Sequence, residues 1–179
     1  MMGRLGGLWA GNPVAFWLVL AACAYFVVMA VRLTVIDVRH HLLPNRIIFP
    51  SYAIVGLLLV AAAALGDAGS GTLHLGGLAA TETFRVLAGA GLLWLFYYVL
   101  RRLYPPGMGF GDVKLAGVLG LYLGFLGWGH LFAGTFLAFL LGGSWSVILL
   151  VARRGTLKTA IPFGPFMLAG AFLALLLPA

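Results

Sequence analysis

The sequence has little charge of either sign and almost none that is negative. Of 179 residues only 8% are Asp, Glu, Lys or Arg, and the acids number four: Asp37, Asp67, Glu82 and Asp112. Soluble domains carry about 25% charged residues. So sparse a set cannot cover a water-soluble globule, which excludes a cytosolic enzyme and a nucleic-acid-binding module. Cysteine is confined to Cys23, which excludes an intrachain disulfide and a cysteine-based zinc site. What is abundant is apolar: 63% of residues are hydrophobic and the mean hydropathy is +1.11. The expectation is an all-α polytopic membrane protein, its eleven Lys and Arg reporting orientation rather than a polyanionic partner.

A crossing helix needs about 20 apolar residues. Candidate spans run over 13–36, 47–65 and 84–100, with a Gly-rich polar stretch over 66–83 between the second and third. From Leu115 to Ala152 there is no Lys, Arg, Asp or Glu. As one helix this stretch would reach about 57 Å at 1.5 Å per residue, nearly twice the hydrocarbon thickness. It must fold back, and Gly124–His130 is the glycine-rich place to do so. That predicts a fourth span over 112–126, a fifth over 131–152 and, beyond the basic segment after Arg153, a sixth over 163–177. The third and fourth are short enough to be tilted or partly re-entrant. The stretch Leu20-Ala21-Ala22-Cys23 also matches a lipoprotein cleavage box, but the apolar run continues through Val31, which suits a retained helix better. The chain reads as one integral-membrane domain, residues 1–179, with about six transmembrane helices in contact with the lipid bilayer.

With six spans the basic residues divide nine against two. Arg32, Arg39, Arg46, Arg101, Arg102, Lys114, Arg153, Arg154 and Lys158 fall on one side, Arg4 and Arg85 on the other. The rich side is expected to be cytoplasmic, with both termini outside. The acids divide too: Asp67 and Glu82 outside, Asp37 and Asp112 inside, each of the latter at the membrane end of a helix.

Either aspartate alone could be a helix cap or a solvated headgroup-level charge; after Gly111, Asp112 suits an N-cap. Together they are what aspartic-protease chemistry requires, because two close carboxylates cannot both ionise and so share a proton. One takes a proton from water and the other donates to the scissile carbonyl. The glycines of Gly109-Phe110-Gly111-Asp112 let a substrate backbone or a neighbouring helix approach. A helix end opposing ionisation makes Asp37 the expected donor and Asp112 the base, with Arg39, His40 and His41 acting the other way on Asp37.

The segments IDVRHHLLPNRI (36–47), GMGFGDVKLAGVLGLYLG (107–124) and AIPFGPFMLAG (160–170) resemble signature blocks of the type IV prepilin peptidases, bacterial polytopic aspartic proteases of the GxGD type. The resemblance implies that Asp37 and Asp112 are catalytic, that Gly109, Phe110 and Gly111 form the motif at substrate approach, and that Pro44 and Asn45 set where Asp37 points. It implies cleavage of a short basic leader from a hydrophobic pilin-like helix at the cytoplasmic face of a bacterial cytoplasmic membrane, without metal or cofactor. Longer members carry an N-terminal region with paired cysteines associated with methylation. Here residues 1–12 precede the first expected span, there is no cysteine pair, and no loop looks large enough for an S-adenosylmethionine site, so the short form without methyl transfer is expected.

Other readings differ in class. Presenilin-like and signal-peptide-peptidase-like proteases also use GxGD but carry a Pro-Ala-Leu element not found here. A non-catalytic polytopic protein, either a small transporter or a scaffold subunit, would hold its aspartates at mid-span or far apart. Lys114 reads as an inside anchor, and His40 and His41 as headgroup-level residues. Pro162, Gly164 and Pro165 break the start of the last helix, which is expected to border the cleft.

Overall fold

The computed structural model describes residues 12–40, 42–70, 82–105, 108–153 and 162–178. Among them are six helices and no strand: α1 (Pro13–His40), α2 (Asn45–Ser70), α3 (Glu82–Leu103), α4 (Phe110–Leu126), α5 (Trp128–Val151) and α6 (Gly164–Leu176).

The burial pattern explains how an almost uniformly apolar sequence chooses its faces. On α1 the buried residues are Ala15, Val19, Ala22, Phe26, Met29, Leu33 and Asp37, a single stripe at the three-and-four spacing of a helix. Its other face leaves Val14, Trp17, Val27, Val28, Val31, Val35 and Val38 exposed. A helix apolar on both its buried and exposed faces belongs in lipid. Comparable stripes run along α3 (Val86, Gly89, Leu93, Tyr97) and α5 (Leu131, Gly134, Ala138, Gly142). The stripe of α1 delivers Asp37 to the interior on the last turn of the helix.

Around α4 the rest is assembled. From Asp112 to Leu126 every residue but Lys114 is buried, and α4 touches α2, α3, α5 and α6. The α3–α4 contact is close because it runs backbone to backbone. A Cβ on Gly89 would lie 2.7 Å from Gly120 O and 2.9 Å from Gly124 Cα. Small residues that let helix backbones meet replace the hydrophobic effect as the source of packing in a membrane. Tyrosine hydroxyls add polar ties across the bundle. Tyr122 donates to Ala22 O of α1 at 2.8 Å, Tyr52 of α2 donates to Lys114 O at 2.6 Å, and Tyr25 of α1 meets Ser51 of α2 at 2.9 Å.

By length and composition α1, α2 over Asn45–Leu65, α3 and α5 can cross a membrane, which makes this a multi-pass membrane protein. The expected fourth and sixth spans are helices, but of 17 and 13 residues, below the roughly 20 that cover the hydrocarbon core. Most of α4 is packed against neighbouring helices, whereas α6 ends exposed at Leu176. The third helix is longer than expected, 22 residues. The fold-back between α4 and α5 falls at Gly127, whose φ of 133° is closed to most side chains.

One expectation needs correcting. The stretch over 66–83 is not all loop: α2 continues to Ser70 and α3 starts at Glu82, so Asp67 lies on a helix and Glu82 opens one, paired with Arg85 at 3.6 Å. Glycine lowers helix propensity by only about 1 kcal/mol, which an already nucleated helix tolerates. His41, Arg154, Lys158, Arg4 and His74 lie outside the described residues.

Candidate active site

Among the described residues the buried charged side chains are Asp37, 5% exposed, and Asp112, 7% exposed. Buried carboxylates are rare without a reason. They come from α1 and α4, 75 positions apart in sequence, and lie within electrostatic range of each other.

Asp112 is held by its own turn. Gly109, extended at φ −70° and ψ 152°, is the N-cap of α4, and its N–H donates to Asp112 Oδ2 at 3.1 Å. Asp112 is thus the third helical residue, not the N-cap read from the sequence. A carboxylate at that position reaches back to close the cap and stands against the positive end of the helix. Gly109 is exposed, and a Cβ there would meet only Asp112 Oδ2 at 3.5 Å and Gly111 N at 3.9 Å. This side of the motif is open.

Gly111 is not open in the same way. A Cβ on it would lie 2.7 Å from Leu43 Cβ. Leu43 belongs to the short link between α1 and α2, and its Cδ1 lies 3.2 Å from that Gly111 position and 3.5 Å from the corresponding position on Gly164. One leucine therefore seats against side-chain-free points on both α4 and α6. The link is short because Pro44 starts α2 at once, its carbonyl accepting from Ile47 and Ile48 N–H at 3.1 and 3.3 Å. Asn45 is the first residue of α2, and its Oδ1 accepts from Lys114 Nζ at 2.8 Å. Lys114 thus does more than anchor: it ties the start of α2 to the start of α4. Phe110, 41% exposed, stands at the rim, its ring centroid 4.9 Å from both Arg101 Cζ and Lys114 Nζ.

The last wall is α6. Its first residue, Gly164, is buried, and a Cβ there would lie 2.6 Å from Asp37 Oδ2. The Pro162–Pro165 segment was expected to border the cleft, and Gly164 stands directly against the first carboxylate. Each aspartate thus has the first turn of a helix beside it, so helix-end arguments no longer separate donor from base. Tyr97 of α3, buried, is within electrostatic range of Asp112, and its ring lies 6.3 Å from that of Phe163, the residue before Gly164. Leu43 and Tyr97 were not singled out from the sequence. Tyr97 lies on the three-and-four stripe of α3, a signal that marks burial but not proximity to Asp112. His40 is exposed at the end of α1. Among the described residues no three His, Cys, Asp or Glu side chains gather as metal ligands.

Such an arrangement can share one proton between two carboxylates shielded from bulk water, with an open approach past Gly109. Residues 14–147 match the model of the type IV leader peptidase family. The chain is 32% identical over 149 residues to a protein of Aeromonas hydrophila named prepilin leader peptidase/N-methyltransferase, covering 82% of this chain and 46% of that protein. Proteins of the same name from Escherichia coli strain K12 and Bacillus subtilis strain 168 are 30% and 29% identical, over 88% and 93% of this chain and 64% and 60% of theirs. The chain spans about half the length of the first of these relatives. No solved structure matches it.

Proposed function

We propose that this chain, which belongs to the type IV leader peptidase family, is a membrane aspartic endopeptidase that removes the short basic leader of type IV prepilin-like precursors. The observation that carries this reading is the convergence of Asp37 and Asp112, two buried carboxylates on separate helices within electrostatic range of each other. In the reaction the ionised carboxylate takes a proton from water as the oxygen attacks the scissile carbonyl carbon. The protonated carboxylate gives its proton to the carbonyl oxygen. Collapse of the resulting gem-diol breaks the C–N bond: the first carboxyl gives its proton to the leaving amine while a gem-diol hydroxyl returns a proton to the second carboxylate, which restores the shared proton. A titration of this kind belongs to the pair, not to either residue.

The six helices are read as six crossings of the bacterial cytoplasmic membrane, with α4 and α6 as short inner spans and both termini outside. The link between α1 and α2, the start of α4 and the start of α6 meet at one end of the bundle, and Arg39, Arg46, Arg101, Arg102 and Lys114 lie at or near it. That supports a cytoplasmic position for the site, where a leader would enter past Gly109. The proposal covers the peptidase step and assigns no methyl transfer.

Co-expression with a prepilin tests it. Asp37→Asn and Asp112→Asn each preserve side-chain shape, and each is expected to lower leader cleavage at least about 100-fold, the scale of a lost general acid or base. Accumulation of uncleaved precursor on a gel is the readout. Cleavage at the normal rate by either variant would overturn the paired-aspartate mechanism.

A further inference from the structure

Glycines at helix contacts in this bundle divide into two kinds. On Gly89 or Gly170 an added Cβ would meet backbone: Gly120 O at 2.7 Å in the first case, Ala138 N at 2.5 Å and Gly134 O at 2.7 Å in the second. There the cost falls on the fold, because two helices must move apart. Gly164 is different. Its nearest neighbour is Asp37 Oδ2 at 2.6 Å, followed by Asp37 Cγ at 3.4 Å and Leu43 Cδ1 at 3.5 Å. All three belong to side chains, so the helices need not part. What must move is the carboxylate.

Asp37 has few places to go. In a helix χ1 is held to two staggered wells, and Asp37 is 5% exposed between α1, the Leu43 link and α6. A methyl group at residue 164 would therefore turn or push the Asp37 carboxyl group without unseating its helix. The family model matches residues 14–147 and the Gly-x-Gly-Asp motif ends at Asp112, so neither reaches Gly164.

We propose that Gly164 is a positioning residue for the reaction: the missing side chain on the first residue of α6 lets the Asp37 carboxylate sit facing Asp112, and α6 forms the third wall of the catalytic site. This rests on the reading of Asp37 and Asp112 as the catalytic pair. A substrate already bound past Gly109 makes no use of Gly164 itself, so the change acts on turnover and not on affinity.

The test uses the full chain in detergent with a prepilin substrate, measuring kcat, KM and thermal unfolding for the wild type, Gly164→Ala, Gly170→Ala and Asp37→Asn. Gly164→Ala is expected to unfold within about 2 °C of wild type and to keep KM within about twofold. Its kcat should fall at least about tenfold, as misplacing a reacting group does. Gly170→Ala should do the reverse, unfolding earlier with the kcat of its folded fraction intact. If Gly164→Ala proves unstable, the double variant Gly164→Ala/Leu43→Ala opens space beside Asp37 into which the displaced carboxylate can move, and is expected to fold yet remain slow. Wild-type kcat in either Gly164 variant overturns the inference, and so does failure of both to fold, since Gly164 would then serve packing alone. Full activity in Asp37→Asn would instead sink the catalytic pair itself, a separate outcome.

Discussion

Lys114 donates to Asn45 Oδ1 at 2.8 Å while its ammonium lies 4.9 Å from the centroid of Phe110 and 5.1 Å from that of Phe49. It stands two residues from Asp112, so its effect on the site has to be separated from its effect on the fold. The hydrogen bond is solvent-exposed and is worth about 0.5–1.5 kcal/mol net. The ring contacts add about 0.5–1 kcal/mol at an exposed position. Asp112 does not depend on either, because the Gly109 N–H holds its carboxylate within the same turn. Lys114→Met keeps the length and the apolar stem but removes donor and charge. It is expected to lower stability by about 1–2 kcal/mol, measured by thermal unfolding in detergent, while cleavage falls far less than in Asp112→Asn. A loss as large as that of Asp112→Asn would make Lys114 part of the chemistry instead of the scaffold.

Between elements, the α3–α4 seam shows what glycine does in this bundle. A Cβ on Gly120 would run into Gly89 O and lie 2.6 Å from Ala90 Cα, whereas on Gly91, one residue further along α3, it would meet nothing within 4 Å. Gly120→Ala is therefore expected to cost about 1–3 kcal/mol, the usual range for overpacking a fitted interior. Gly91→Ala should be neutral or stabilising by about 0.5–1 kcal/mol through helix propensity alone. Unfolding midpoints of the two variants in one detergent check the pair, and equal effects would refute the seam. The same seam marks the limit of what the sequence discloses. The helices themselves are legible, because apolar length and glycine breaks mark them: Gly127 falls inside the expected fold-back, and α5 and α6 begin and end within three residues of expectation. The aspartates are legible too, as isolated acids in apolar runs. Helix ends are less so, because the turns after Ile36 and Leu65 carry polar residues that look like loop yet stay helical. The register between helices is not legible at all. That Leu43 meets both Gly111 and Gly164, and that Tyr97 nears Asp112, depends on how four helices settle against one another. No periodicity within one helix encodes that.

For the whole molecule the open question is which way the bundle faces, and the distribution of charge bears on it directly. At the end of the bundle that holds Asp37 and Asp112, the described helices and links carry Arg39, Arg46, Arg101, Arg102 and Lys114. At the opposite end, α3 starts with Arg85 paired to Glu82 at 3.6 Å, so that cation is largely offset. Basic residues in short loops stay on the cytoplasmic side during insertion, which predicts that the catalytic end faces inward. Two exposed positions at opposite ends report it: Leu42 in the α1–α2 link and Gly129 at the start of α5. Leu42→Cys and Gly129→Cys, each built on a Cys23→Ala background, would be treated with a membrane-impermeant maleimide in a bacterial host. Gly129→Cys is expected to label in intact cells, and Leu42→Cys only in inverted vesicles. The reverse pattern would put both carboxylates outside and remove a leader retained in the cytoplasm from their reach. Labelling of both in intact cells would mean that an odd number of helices between them fails to cross, which would overturn the six-span topology while leaving the pairing of Asp37 with Asp112 untouched.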